Sequence, residues 1–230
     1  CTMYTWLQND LTTNTLPWVV VYWHHAPYTK GSHNSDTETE LIDMRTNINP
    51  LLEQYGVDLV LCGHSHIYER SKFIKGHFGL STTFNNSLYP TGNVVQSSTN
   101  TYTKSLRGNG TVYVVCGVSG QSGGTTMTGY PHPAMQVSTT SNNGSLILDV
   151  TGNTLNCKFL TTTGTIFDQF TISKTTARLS GISVITDTKY YNMMGDYLGD
   201  DYTKLPLNEI IIVKYLKEGE LETNKIVKQY

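Results

Sequence analysis

Two short apolar runs, each ending in histidine and separated by the length of one helix, constrain this chain more than any other feature. Residues 18–23 (Trp-Val-Val-Val-Tyr-Trp) run into His24 and His25, and residues 57–62 (Val-Asp-Leu-Val-Leu-Cys) run through Gly63 into His64, Ser65 and His66. Runs this short, nearly continuous in apolar residues and rich in β-branched ones, suit strands buried on both faces. Between them, Leu41, Met44, Ile48, Leu51, Leu52 and Tyr55 recur at helical spacing. Asp36, Glu38 and Glu40 are expected to load the first turn of that helix, Pro50 to kink or split it, and Gly56 to cap it. Strand, loop, helix, strand implies a parallel pair joined by a right-handed crossover. Both histidine clusters then lie at one edge, beyond the C-terminal strand ends where open α/β sheets place their ligands.

Gly63 is expected to supply the sharp turn, and alternate extended residues would aim His64 and His66 to one side with Ser65 to the other. Imidazole is a good ligand for zinc, iron and other transition metals, so residues 63–71 read as a metal-binding loop. His33, in the loop after Tyr28, lies near the same strand end.

Elsewhere the chain favours strands. Of its 230 residues only 15% are charged, the net charge is −2, and Thr, Ser, Asn and Gly fill much of the remainder. That balance gives no basic footprint for a nucleic-acid backbone. No apolar run approaches the roughly 20 residues of a membrane span. Residues 3–11 suit a short amphipathic helix, residues 75–110 a polar surface excursion, and residues 111–117 a further buried strand before a Gly-rich loop that lacks a P-loop ending. Residues 145–150, 154–160 and 165–172 form an expected antiparallel meander. Cys1, Cys62, Cys116 and Cys157 show no paired metal-ligand spacing, and Cys62 and Cys116, each ending an apolar run, are expected as buried thiols. From about residue 175 Lys and Glu rise and histidine disappears, which marks a second, β-rich module over 175–230. Because the sequence opens on Cys1 in mid-pattern, it reads as a fragment.

Over residues 1–172 the chain resembles the C-terminal half of a calcineurin-like metallophosphoesterase of the purple acid phosphatase branch. Gly63-His64-Ser65-His66-Ile67-Tyr68-Glu69-Arg70-Ser71 resembles that branch's Gly-His-x-His-x-Tyr-Glu-Arg-Ser block, and residues 18–28 resemble its preceding histidine block. The resemblance implies an α/β fold, half of a β-sandwich flanked by helices in an αββα arrangement, with a small all-β module after it. It implies two metal ions, iron with zinc, manganese or iron, and a metal-bound hydroxide that attacks a phosphate ester. His24 and His64 would hold the divalent ion, His66 the iron, and His33 would face the substrate and assist the leaving group. His24 fits the family's step from Val21 and its step to Tyr28; His25 fits only the step to Pro27 and stays the alternative. Ala26 stands where the family usually has Pro. The family's remaining ligands come from motifs that precede this segment, so the chain alone is expected to be inactive.

The tail resembles the C-terminal sorting module of Bacteroidetes-type secreted proteins at residues 191–196, 205–214 and 224–228, which implies engagement of a secretion machinery and a secreted or cell-surface location. The expected activity is hydrolysis of small phosphate monoesters. The alternatives are a phosphodiesterase or nucleotide-cleaving metallophosphoesterase, and a non-catalytic surface-binding relative.

Overall fold

The computed structural model describes residues 2–86, 95–98, 100–105, 110–121, 123–175, 185–191, 196–200, 204, 210–217 and 220–227. The chain divides into two compact units, Cys1–Thr176 and Ala177–Tyr230.

The first unit opens with helix α1 (Thr2–Thr13) and strand β1 (Val20–Tyr22). The crossover then runs through α2 (Thr39–Asp43), a π-helical turn (Met44–Ile48) and α3 (Asn49–Gln54) into β2 (Leu59–Cys62). Pro50 sits in the first turn of α3. Lacking an N–H, it cannot close the regular ladder, and the preceding turn widens instead. Gly56, at φ +70°, ends α3 with the two reversed bonds of a Schellman turn, Gly56 N–H to Glu53 O and Val57 N–H to Leu52 O.

β3 (Tyr68–Ser71), β6 (Val112–Cys116) and β7 (Met135–Thr139) complete a sheet in the order β1-β2-β6-β3-β7. β1, β2 and β6 are parallel, and β3 runs antiparallel to β6 and β7. A second sheet has the order β4-β5-β10-β9-β8, from β4 (Val95–Ser98), β5 (Thr101–Ser105), β8 (Gly144–Thr151), β9 (Thr154–Thr161) and β10 (Ile166–Thr175). Its β8-β9-β10 portion is the expected meander.

Alternation along β2 and β6 sends side chains into two separate cores. Leu59, Val112 and Val114 meet Tyr102, Leu155, Phe159 and Phe170 of the second sheet. Val60, Cys62, Tyr113 and Val115 meet Leu11, Leu51 and Leu52 of the helices. The unit is therefore helix layer on sheet on sheet, with the described helices on the first sheet. Cys62 and Cys157 are buried thiols and Cys116 is half-buried, all three free.

Three expectations need correction. β1 is an edge strand with Tyr22 82% exposed, because only β2 pairs with it among the described residues. The polar stretch 75–110 is more than surface excursion: β4 and β5 belong to the second sheet, and Tyr102 and Lys104 are fully buried. Residues 68–71 form a buried strand where the loop of residues 63–71 was expected to continue, because the Arg70 guanidinium finds a bidentate partner in Asp168 (2.7 and 3.0 Å), which also accepts the Tyr68 hydroxyl at 2.6 Å.

Beneath β1 and β2, the fully buried Asp58 pairs with two lysines. Lys104 Nζ lies 2.8 Å from Oδ1 and Lys174 Nζ 2.7 Å from Oδ2, which also accepts the Val19 N–H at 2.9 Å. Lys104 further donates to Gly56, Val57 and Gly110 carbonyls.

The second unit has the sheet order β12-β11-β13-β14, from β11 (Ile185–Tyr191), β12 (Tyr197–Gly199), β13 (Ile210–Lys217) and β14 (Glu220–Val227). Its pairings among the described residues are all antiparallel. Residues 192–195, 205–209 and 228, on which much of the sorting-module resemblance falls, lie outside the described residues.

Replacing Lys104 by Met leaves half of the Asp58 carboxylate buried without its cation, and should cost about 3–5 kcal/mol in denaturant unfolding. Burial pushes the Glu53 carboxyl up from 4.5 to about 7, against the Gly76 N–H that it accepts at 2.7 Å. The folded chain then holds this proton more tightly than the unfolded one, so stability falls as pH rises from about 4.5 to about 7, by on the order of 2 kcal/mol. Glu53→Gln should flatten that slope in melts taken across this range.

Candidate metal centre

Two strand ends bring the histidines together. Past β1 and β2 the ladder continues, with Trp23 N–H donating to Leu61 O and Gly63 N–H to His24 O. His24 and His64 thus meet, His64 Nδ1 standing 3.0 Å from His24 Nε2. His25 joins them, each pair of the three rings having centroids 4.9–5.0 Å apart. On the other side His33 packs on His64 with centroids 3.7 Å apart.

The turn is made at His64 and not at Gly63. His64 has φ +66° and sits at the centre of a three-residue turn closed by Ser65 N–H to Gly63 O at 2.8 Å. A side chain held in this left-handed region stores about 1–3 kcal/mol, and such strain gathers at functional sites. The neighbouring loop holds the turn in place. Ser65 is buried and bonded to the Thr29 hydroxyl at 3.0 Å, and Ser32 Oγ accepts the His66 N–H at 2.9 Å. Two glycines allow this approach: a Cβ on Gly31 would stand 2.2 Å from Ile67 Cδ1, and one on Gly117 would stand 2.1 Å from the Ser65 carbonyl oxygen.

Among the described residues, two sets of side chains converge closely enough to share an ion, His24 with His25 and His64, and His33 with Glu38 and His64. In each set the ligand atoms lie within 4.8 Å of one another. His66 belongs to neither and is half-buried. The donor chemistry fits a borderline metal. Two nitrogens each about 2.1 Å from one ion stand roughly 3 Å apart, which matches the His24–His64 separation.

Glu38 was invisible as a site residue in the sequence, where it read with Asp36 and Glu40 as charge on a helix N-terminus. Only Glu40 lies in the first turn of α2. Asp36 pairs with Lys30 at 2.8 Å and with Ser81; burial pulls its carboxyl upward, but these partners outweigh it and hold it at about 2. Glu38 precedes the helix with extended backbone, and its side chain turns back on the loop. There it accepts the Asn34 N–H at 2.5 Å and faces His33 Nδ1 at 2.8 Å and His64 Nε2 at 3.5 Å. Burial opposes ionisation of Glu38, but the Asn34 N–H and His33 prevail and lower its pKa. Burial and then the neighbouring His33 lower the pKa of His64, with Glu38 acting against them.

Gly117→Ala should push the Ser65 carbonyl and the His64 turn away, costing about 1–3 kcal/mol of stability by overpacking. The histidine side-chain NMR resonances of His64 and His66 should shift, while the backbone amide resonances of β9 and β10 stay fixed.

The chain is similar to several known proteins. The family model of the calcineurin-like phosphoesterases matches residues 2–68, which hold the crossover and every histidine of the two sets. An uncharacterized protein of Mycobacterium tuberculosis is 32% identical over 138 residues, covering 58% of this chain and 24% of that protein. A probable purple acid phosphatase of Arabidopsis thaliana is 40% identical over 70 residues, covering 29% of this chain and 16% of that protein. This chain therefore spans at most about a quarter of the length of these relatives. In fold it is similar to a purple acid phosphatase from yellow lupin seeds, with a TM-score of 0.54 at 20% identity over 76% of this chain and 28% of that one. It is also similar to the inner-membrane-complex anchor of Plasmodium, with a TM-score of 0.51 at 15% identity over 77% of this chain and 44% of that one. Residues 2–68 thus match the calcineurin-like phosphoesterase family model, and the fold is similar to that of a purple acid phosphatase.

Proposed function

We propose that this chain supplies the histidine half of the metal centre in a phosphoric monoester hydrolase of acid phosphatase type. The observation that carries the reading is the pair His24 and His64, delivered by adjacent parallel strands with ring nitrogens 3.0 Å apart. The family match over residues 2–68 and the kinship with plant purple acid phosphatases support it. His24 and His64 would hold a divalent ion, with His25 the alternative to His24, and His66 would turn to an iron completed by ligands from a preceding segment. When bound, such a pair of ions supplies the positive charge that clamps a phosphate and acidifies a water.

The residues of this chain do the remainder. His33, its Nδ1–H held by Glu38, would in its doubly protonated form give the Nε2 proton to the leaving oxygen. The His33 ring packs at a tilt on that of His64, which holds the two side by side at the site. The tail resemblance supports export, with the second unit as the signal for a secretion machinery. Among the described residues no helix is long and apolar enough to cross a membrane.

The test takes the longer parent protein, purified without chelators, and measures metal content with hydrolysis of p-nitrophenyl phosphate and its bis ester. The expected result is about two ions per chain and monoester turnover that falls at least about a hundredfold in His64→Ala. The 230-residue chain alone should turn over neither ester. Preference for the bis ester would make the parent a diesterase, and a metal-free, inactive parent would make it a binding protein.

A further inference from the structure

Glu38 faces both His33 and His64 with one oxygen, Oε2, at 2.8 Å from His33 Nδ1 and 3.5 Å from His64 Nε2. Its other oxygen is fixed by the Asn34 N–H at 2.5 Å. The carboxylate is therefore anchored before it meets either ring. An ionised carboxylate only accepts hydrogen bonds, so an imidazole nitrogen turned toward it must carry the proton. A neutral ring has one such nitrogen. With Nε2 of His64 protonated toward Glu38, the lone pair lies on Nδ1, the nitrogen that stands 3.0 Å from His24 Nε2.

We propose that Glu38 is a positioning residue that fixes His64 in its Nε2–H form, leaving Nδ1 free to bind a cation beside His24, and that the same oxygen orients His33. One carboxylate thereby couples the ring that holds the cation to the ring that faces the substrate. The tautomer stands on the geometry alone; only the cation rests on the function proposed above. A carboxylate behind a ligating histidine fixes the ring and raises its basicity, and losing one typically weakens metal binding 10–100-fold.

Glutamine at this position is the informative change because it keeps the shape and reverses the chemistry. Its carbonyl oxygen is claimed by the Asn34 N–H, so its NH2 group faces the rings and asks both to accept. His64 would then move its proton to Nδ1, the nitrogen needed for the cation.

The experiment uses the 230-residue chain and two readouts besides activity. Long-range ¹H–¹⁵N correlation spectra of the metal-free protein assign the imidazole tautomers, and Co²⁺ titration followed by visible absorption measures binding. In the wild type, His64 should be the Nε2–H form, with its Nδ1 accepting from His24 Nε2–H. Glu38→Gln should convert it to Nδ1–H and weaken Co²⁺ at least about tenfold with an unchanged melting temperature. Wild-type His64 in the Nδ1–H form, or a Gln variant with the wild-type tautomer, would overturn the proposal. If Glu38→Gln does not fold, the wild-type spectrum decides by itself. A wild type that shows the expected tautomer but takes up no Co²⁺ would leave the role of Glu38 standing and count against the metal centre instead.

Discussion

The first unit depends on one fully buried carboxylate held by two cations, that of Asp58. It sits just before β2, and its two lysine partners come from β5 and β10 of the other sheet. Three charges taken out of water are tolerable only when each is paired and hydrogen-bonded. Here Lys104 is further held by three carbonyls, and Lys174 by the Pro17 carbonyl and the face of Trp18 at 4.4 Å. The apolar contact between the sheets is non-directional and would allow them to slide. The ion triad has a fixed geometry, so it sets the register of the second sheet against the entry to β1 and β2.

The opposite end of β2, four residues on, carries the histidines. A strand anchored at its start by charge and walled on both faces by apolar cores has little freedom at its end. The parallel register that pairs Val20 with Leu59 therefore also decides that His24 falls beside His64. Arg70 with Asp168 does for β3 what Asp58 does for β2, crossing the same sheet-to-sheet gap and fixing the far side of the histidine turn.

Much of this could be read from the sequence because it rests on local pattern. The β2 run, the crossover, the Pro50 break, the Gly56 cap and the adjacency of His24 with His64 all follow from spacing within fewer than fifty residues. What was not legible depends on partners distant in the chain. Lys104 in a Ser/Thr-rich stretch gives no sign that it is buried, since its partner Asp58 is 46 residues away in sequence. Arg70 read as part of a loop because Asp168 lies 98 residues on. Glu38 read as helix charge because an acidic residue just before a helix looks the same whether it serves the dipole or turns back to a histidine. The alternation argument that joined His66 to His64 fails at a single torsion, since φ +66° at His64 breaks the extended geometry on which alternation depends.

That torsion also explains why the loop around the site is built from small residues. A strained turn persists only where its surroundings leave no relaxed alternative. Ser65 buried against Thr29, Ser32 on the His66 amide, and the close passage of Gly31 and Gly117 together supply that confinement. If His64 relaxed to an extended conformation, its ring would leave His24, and Glu38 would lose one of the two rings it faces. The strain and the short contacts are therefore one device, in which packing energy from an ordinary hydroxyl and glycine loop holds an imidazole where unconstrained backbone would not place it.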